Sequence, residues 1–199
     1  IVFFFLFLWW IIFSISSFIF LKQKNFQPAR GMVFLLSVKR VFETLKTVSR
    51  QKNLFYFLGA YFLYIDGVST IISMSSIYGR ELGVSVNSLL ILIFLIQVVA
   101  FPFTLLYGFF AGKFGTRNMI LFGILIYMII TAVGFILPSM PQNLRTPMFW
   151  IMGFLVASSQ GGIQALSRSY FAKMIPEGRS AEMFGFYNIF GKFAAVVGP

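Results

Sequence analysis

Residues 54–78 read LFYFLGAYFLYIDGVSTIISMSSIY. A run of this length crosses a bilayer as a helix, since about 20 residues rising 1.5 Å each span roughly 30 Å of hydrocarbon. Its single charge is Asp66, near the middle. A carboxylate at that depth costs at least about 2.5–3.5 kcal/mol on insertion scales, so Asp66 is expected to face protein, water or a counter-ion. Its helical neighbours agree: Gly59, Asp66, Ser69, Thr70, Ser73 and Ser76 share one face at steps of three, four and seven. That face is small and polar, while the others are Phe, Leu, Ile and Tyr.

The rest of the chain suits the same solvent. It is 59% hydrophobic and only 11% charged, against about a quarter charged in a soluble domain. An integral membrane protein follows. There is no His and no Cys, which removes thiol chemistry, disulfides, His or Cys metal sites and His-based acid–base catalysis. No cofactor is expected. The 16 Lys and Arg residues against 5 acids would suggest nucleic acid in a soluble protein. Here they sit between apolar spans and read as topology signals, so no nucleic-acid partner is expected.

Spans are expected at 1–21, 54–78, 88–111, 119–138, 147–166 and from 183 to the end. Residues 22–52 hold eight of the sixteen cations and one acid, Glu43. Within them Phe34, Val38, Val41, Leu45 and Val48 form an apolar stripe at helical spacing, as in a helix lying on the membrane surface. Basic and poorly charged loops alternate along the chain. The positive-inside rule then puts 22–52, 112–118 and 167–182 in the cytoplasm. The chain starts Ile1-Val2-Phe3 and stops at Gly198-Pro199 inside an apolar run, so it reads as a piece of a longer protein.

Three further spans carry polar stripes. In 88–111 the stripe is Gln97, Phe101, Thr104 and Gly108, running on to Gly112; in 147–168 it is Gly153, Ala157, Gln160, Gly161, Gln164 and Ser167; in the last span it is Gly185, Asn188, Lys192 and Ala195. The span 119–138 has no comparable set. Gly153, Gly161 and Gly185 suit close helix packing in lipid. The amides need partners, which other helices or a water-filled cavity supply. Counted from Glu182 and Asn53, Lys192 and Asp66 lie about 15 Å and about 18–20 Å along their helices. Similar depth is expected, and with it an ion pair, either functional or a structural link between helices, unless Lys192 snorkels to the interface. Asp66, Gln97, Gln160, Gln164, Asn188 and Lys192 are therefore the candidate substrate or coupling-ion residues.

Gly108–Arg117 reads GFFAGKFGTR. Gly108, Gly112 and Gly115 permit a tight cytoplasmic turn, with Lys113 and Arg117 at the headgroups. The pattern resembles the signature loop of major facilitator transporters, with Gly112 where that family has Asp. If the loop joins spans eight and nine, the basic 22–52 segment falls on the long cytoplasmic linker of such proteins. The final GKFAAVVGP then resembles their Gly-rich eleventh span. YFLYIDGVSTII (61–72) and SQGGIQALSRSYFAKMIPEGRSAEMFGFYN (159–188) resemble the bacterial branch of the vacuolar amino-acid effluxers linked to autophagy.

The resemblance implies an all-α polytopic membrane bundle, the C-terminal half of a major facilitator fold. Residues 1–21 would be the last span of the N-terminal half, 22–52 a cytoplasmic linker, and 53–199 a bundle truncated in its fifth span. It implies a secondary transporter in a bacterial plasma membrane, working by alternating access on a small solute, with amino acids as a substrate class and protons as a coupling partner. Gly108, Gly112, Lys113, Gly115 and Arg117 would form a gating turn. A non-transporting scaffold or receptor on the same fold is the alternative. A lipid-modifying enzyme would need a nucleophile, base or metal set that five acids and no His or Cys supply poorly.

Overall fold

The computed structural model describes residues 2–20, 51–176 and 180–199. The surface helix expected within 22–52 lies outside them. Two compact units are present, one holding the first helix and the other the remaining helices.

In the first unit α1 spans Val2–Phe20 and is apolar apart from three serines. The second unit contains α2 (Lys52–Glu81), α3 (Val86–Phe114), α4 (Thr116–Ile136), α5 (Gln142–Ala172) and α6 (Ser180–Val197). A short 3-10 turn, Leu137–Ser139, extends α4. Among the described residues there is no strand, and the all-α expectation holds. The expected spans are all helices, and those of the second unit are longer than their apolar runs. Helices α1 to α4 are long and apolar enough to cross a membrane. The chain is a multi-pass membrane protein.

Helices α5 and α6 fall below that apolarity, and for α5 its position explains why. α5 runs for 31 residues and buries twelve of them, from Phe149 to Phe171. It packs on α3 and α4, while α6 packs on α2. A helix surrounded by protein needs no lipid-soluble surface and can carry Ser, Gly and Gln. In lipid there is little hydrophobic drive between helices, so close packing at small residues carries the association. Gly153 lies against Leu92, Gly161 against Thr104, and Gly162 against the Tyr107 ring, so closely that a Cβ at any of them would overlap its neighbour. The packing expected of Gly153 and Gly161 is present, whereas a Cβ at Gly185 would meet open space.

One end of the bundle is tied by polar contacts. Tyr78 Oη donates to the Gly134 carbonyl at 2.5 Å, joining α2 to α4. Gly79 lets Leu89 and Phe149 approach α2. Arg145 donates to the Met140 and Pro138 carbonyls at 2.9 and 2.8 Å, covering acceptors freed where α4 ends.

The turn expected over 108–117 is narrower than its glycines suggest. α3 continues through Gly108 and Gly112 to Phe114, and Gly115 alone makes the connection at φ +88°. Only that glycine needs its missing Cβ. Gly115→Ala is expected to cost about 1–3 kcal/mol of backbone strain, whereas Gly112→Ala, in a helix with open space around it, should gain about 0.5–1 kcal/mol. Thermal unfolding of the two variants checks this, and equal shifts would show that the 115 conformation is not required.

Candidate functional site

The polar stripe of α2 does not face one partner. Its buried residues are Leu54, Leu58, Tyr61, Ile65 and Val68, with Gly79, so the apolar and aromatic side seats the helix. The polar side falls at the boundary between two cavities. Thr70 and Ser76 line the first and Ser69 the second, while Gly59 and Ser73 are exposed.

The first cavity, about 460 Å³, lies among α2, α3, α4 and α5. Its walls are mainly Ile, Leu, Met and Phe, with Gln97 and Gln160 brought together as expected and Thr70, Ser75, Ser76 and Thr131 as further polar groups. Thr131 comes from α4, the span with no comparable set of amides or charges. Its hydroxyl donates to the Tyr127 carbonyl at 2.9 Å, which leaves the helix looking apolar.

The second cavity, about 500 Å³, lies among α2, α5 and α6. Each helix gives it one face at i, i+4 spacing: Tyr61, Ile65 and Ser69; Gln164 and Arg168; Asn188 and Lys192, with Tyr187 and Gly191 alongside. The Tyr61 and Tyr187 rings stack at 4.2 Å. Gly191 is needed here, because a Cβ would stand 2.8 Å from Tyr61 Oη. Next to the cavity, Tyr64 Oη donates to Ser167 Oγ at 2.6 Å, and Ser167 passes its own proton to the Ile163 carbonyl at 2.5 Å. The first of these bonds joins α2 to α5, and the second lies within α5. Such an interhelical bond is worth about 0.6 kcal/mol on average in a membrane protein, so it sets register more than stability.

Asp66 lines neither cavity. Its Oδ1 is buried without a hydrogen-bond partner. The Thr70 hydroxyl donates to the Asp66 main-chain carbonyl at 2.9 Å, not to the carboxylate. Gly198, just beyond the end of α6, closes over the pair, and a Cβ at 198 would overlap both Thr70 Oγ1 and Asp66 Oδ1. The expected Asp66–Lys192 ion pair is not formed. The reason is register. α2 and α6 run in the same direction, with Tyr61 beside Gly191 and Asp66 beside Gly198. Lys192 therefore sits about six residues, roughly 9 Å, from the level of Asp66 along α6. Counting from each helix start placed them at one depth, because the two starts do not lie level.

Three further residues of the second cavity, Arg168, Tyr61 and Tyr187, are not among the expected site residues. Arg168 was assigned to a cytoplasmic loop over 167–182, but α5 continues to Ala172 and carries it into the second cavity. Its guanidinium also lies 5.2 Å from the Phe184 ring centre. The signal for it was the i+4 step from Gln164. Tyr61 and Tyr187 give no such signal in a chain this rich in aromatics. Gly108, Gly112, Lys113, Gly115 and Arg117 lie at the far end of α3 and the start of α4, on the exposed surface. Among the described residues no cluster of His, Cys, Asp or Glu suits a metal ion.

Comparison with known proteins bears on what these cavities serve. The profile of a family described as vacuole effluxer Atg22 like matches residues 1–199. The chain is 47% identical over 191 residues to an uncharacterized MFS-type transporter, YxiO, of Bacillus subtilis, covering 96% of this chain and 43% of that protein. It is 31% identical over 170 residues to autophagy-related protein 22 of Vanderwaltozyma polyspora, covering 80% of this chain and 32% of that one. With autophagy-related protein 22-2 of Sclerotinia sclerotiorum the identity is 28%, over 98% of this chain and 33% of the relative. The chain thus spans less than half the length of these relatives. No solved structure matches.

Proposed function

The chain belongs to the Atg22-like vacuole effluxer family, and we propose that it supplies the C-terminal half of a secondary transporter of the major facilitator type, moving a small solute by alternating access. The observation that carries this reading is the second cavity. Four polar or charged side chains from two helices, Gln164, Arg168, Asn188 and Lys192, meet in it beside the partly polar face of α2. Such groups are costly within lipid unless a solute path or a partner uses them. A midplane site between helices that can move against each other is what alternating access requires. Amino acids are the substrate class implied by the family resemblance. Asp66, with its unpartnered buried oxygen, is assigned as the coupling-ion residue, and Gln97 and Gln160 as the polar end of the neighbouring cavity. Uptake of labelled amino acids by proteoliposomes holding the intact protein, above that of empty liposomes, tests the activity. No flux of any solute at full reconstitution would remove it.

In the same reading residues 1–21 are the last span of the N-terminal half, 22–52 the cytoplasmic linker, and the membrane is the plasma membrane of a bacterium. The basic loops orient the bundle. A cysteine at Lys113 should then be shielded from impermeant reagent in intact cells and one at Pro141 labelled; both positions are exposed. The reverse labelling pattern would invert the topology.

A further inference from the structure

We infer that the second cavity is an anion subsite, taking the carboxylate end of a small organic or amino acid, and that it holds no carboxylate to pair with an ammonium end. The inference rests on the transporter reading of that cavity and adds the chemistry of what enters it. Arg168 and Lys192 both line it, and no Asp or Glu does. Two cations sharing about 500 Å³ repel each other, and no acid in the lining pairs with either. Their candidate counter-charge, Asp66, is held under Gly198, about 9 Å along the bundle from the level of Lys192. An incoming oxyanion relieves the repulsion and supplies the missing partner.

The lining suits such a group in detail. A guanidinium presents a planar fork that matches a carboxylate with two parallel bonds, and an ammonium adds a point charge with three donors. Gln164, Asn188 and Ser69 add neutral donors on all three helices. The stacked Tyr61 and Tyr187 rings give an apolar wall for the carbon part of the solute. The volume lies within the range of small-molecule sites. The first cavity, by contrast, has no charged residue and cannot select by charge.

The test is ligand-dependent thermal stabilisation of the purified intact protein. Succinate, glutamate, glycerol 3-phosphate and putrescine serve as probes at matched ionic strength. Succinate and glutamate should raise the melting temperature in a saturable manner, and putrescine should not. Glycerol 3-phosphate separates a carboxylate site from one for any oxyanion: stabilisation well below that of succinate is expected, and a larger one would overturn the carboxylate assignment. Arg168→Gln and Lys192→Gln should each weaken succinate binding at least about tenfold, equivalent to 1.4 kcal/mol. Lys192→Arg should recover part of it.

Should the variants fail to fold, the wild type still decides. Succinate should slow acetylation of Lys192 severalfold while leaving that of exposed Lys113 unchanged. Equal stabilisation by putrescine, binding untouched by the Gln variants, or no protection of Lys192 would each overturn the proposal. Binding and flux are read separately. Anion binding without flux would sink the transporter reading alone, and flux without anion selectivity would sink only this one.

Discussion

Asp66→Asn is expected to bring pH-gradient-driven uptake in proteoliposomes down to the level of empty liposomes, while exchange of internal for external solute persists. The basis is local. Asp66 Oδ1 is buried and meets no donor, and an unpartnered buried acceptor carries its full desolvation cost. A proton or cation arriving at that oxygen supplies the missing partner. The groups around it cannot substitute: the Thr70 hydroxyl is spent on the Asp66 main-chain carbonyl, and Gly198 brings only backbone. Asparagine keeps the size and removes the exchangeable charge. Retained pH-driven uptake at equal protein level would end the assignment of Asp66 as the coupling residue.

The same geometry fixes how Asp66 and Lys192 behave together. A buried ion pair would make the single variants costly and the double variant mild. Here the residues share no contact, and their effects on melting should add to within about 0.3–0.5 kcal/mol. A coupling above that would mean that the two charges meet in another state of the cycle, as expected from their sequence positions.

Gly162→Val is expected to have the largest effect on folding, at least about 3 kcal/mol, the upper part of the range for overpacked cores. A Cβ there would stand 2.7 Å from Tyr107 Cδ2 and nearer still to Cγ. Tyr107 is itself buried, at 4% exposure, and belongs to the core, so its ring has nowhere to go. The contact joins α3 and α5, the pair on which the bundle is built. With total stabilities of about 5–15 kcal/mol, such a loss should be seen as a lowered melting temperature and loss of the monodisperse peak in detergent. Gly185→Val, facing open space, is the control. Equal melting of the two variants would show that α3 and α5 do not pack at Gly162.

The helical spans were legible because lipid imposes a one-dimensional rule. Every backbone group must be bonded within its own helix, so length and apolarity alone mark the element. Residue identity carried the candidate site only part of the way. Gln97 with Gln160, and Gln164 with Asn188 and Lys192, do share cavities, because amides and ammonium groups are costly against lipid and favour faces where polar partners are within reach. Arg168 was hidden by a boundary. Cationic residues near helix ends serve topology and cavities alike, and α5 runs six residues beyond its expected end at 166.

What the sequence by itself determined is therefore the class of fold, the order of the described helical spans, and the face on which each polar side chain lies, since all three follow from local hydropathy and the 3.6-residue period. Only the tertiary structure decided which faces meet. Asp66 and Lys192 lie on suitable faces of adjacent, parallel helices, yet the stagger set by Tyr61 against Gly191 and Thr70 against Gly198 holds them about 9 Å apart along the axis. Stagger depends on how side chains from two helices interlock, and no single helix encodes it. The same holds for glycine: Gly162 and Gly185 look alike in sequence, and the neighbour across the interface makes one indispensable and the other free.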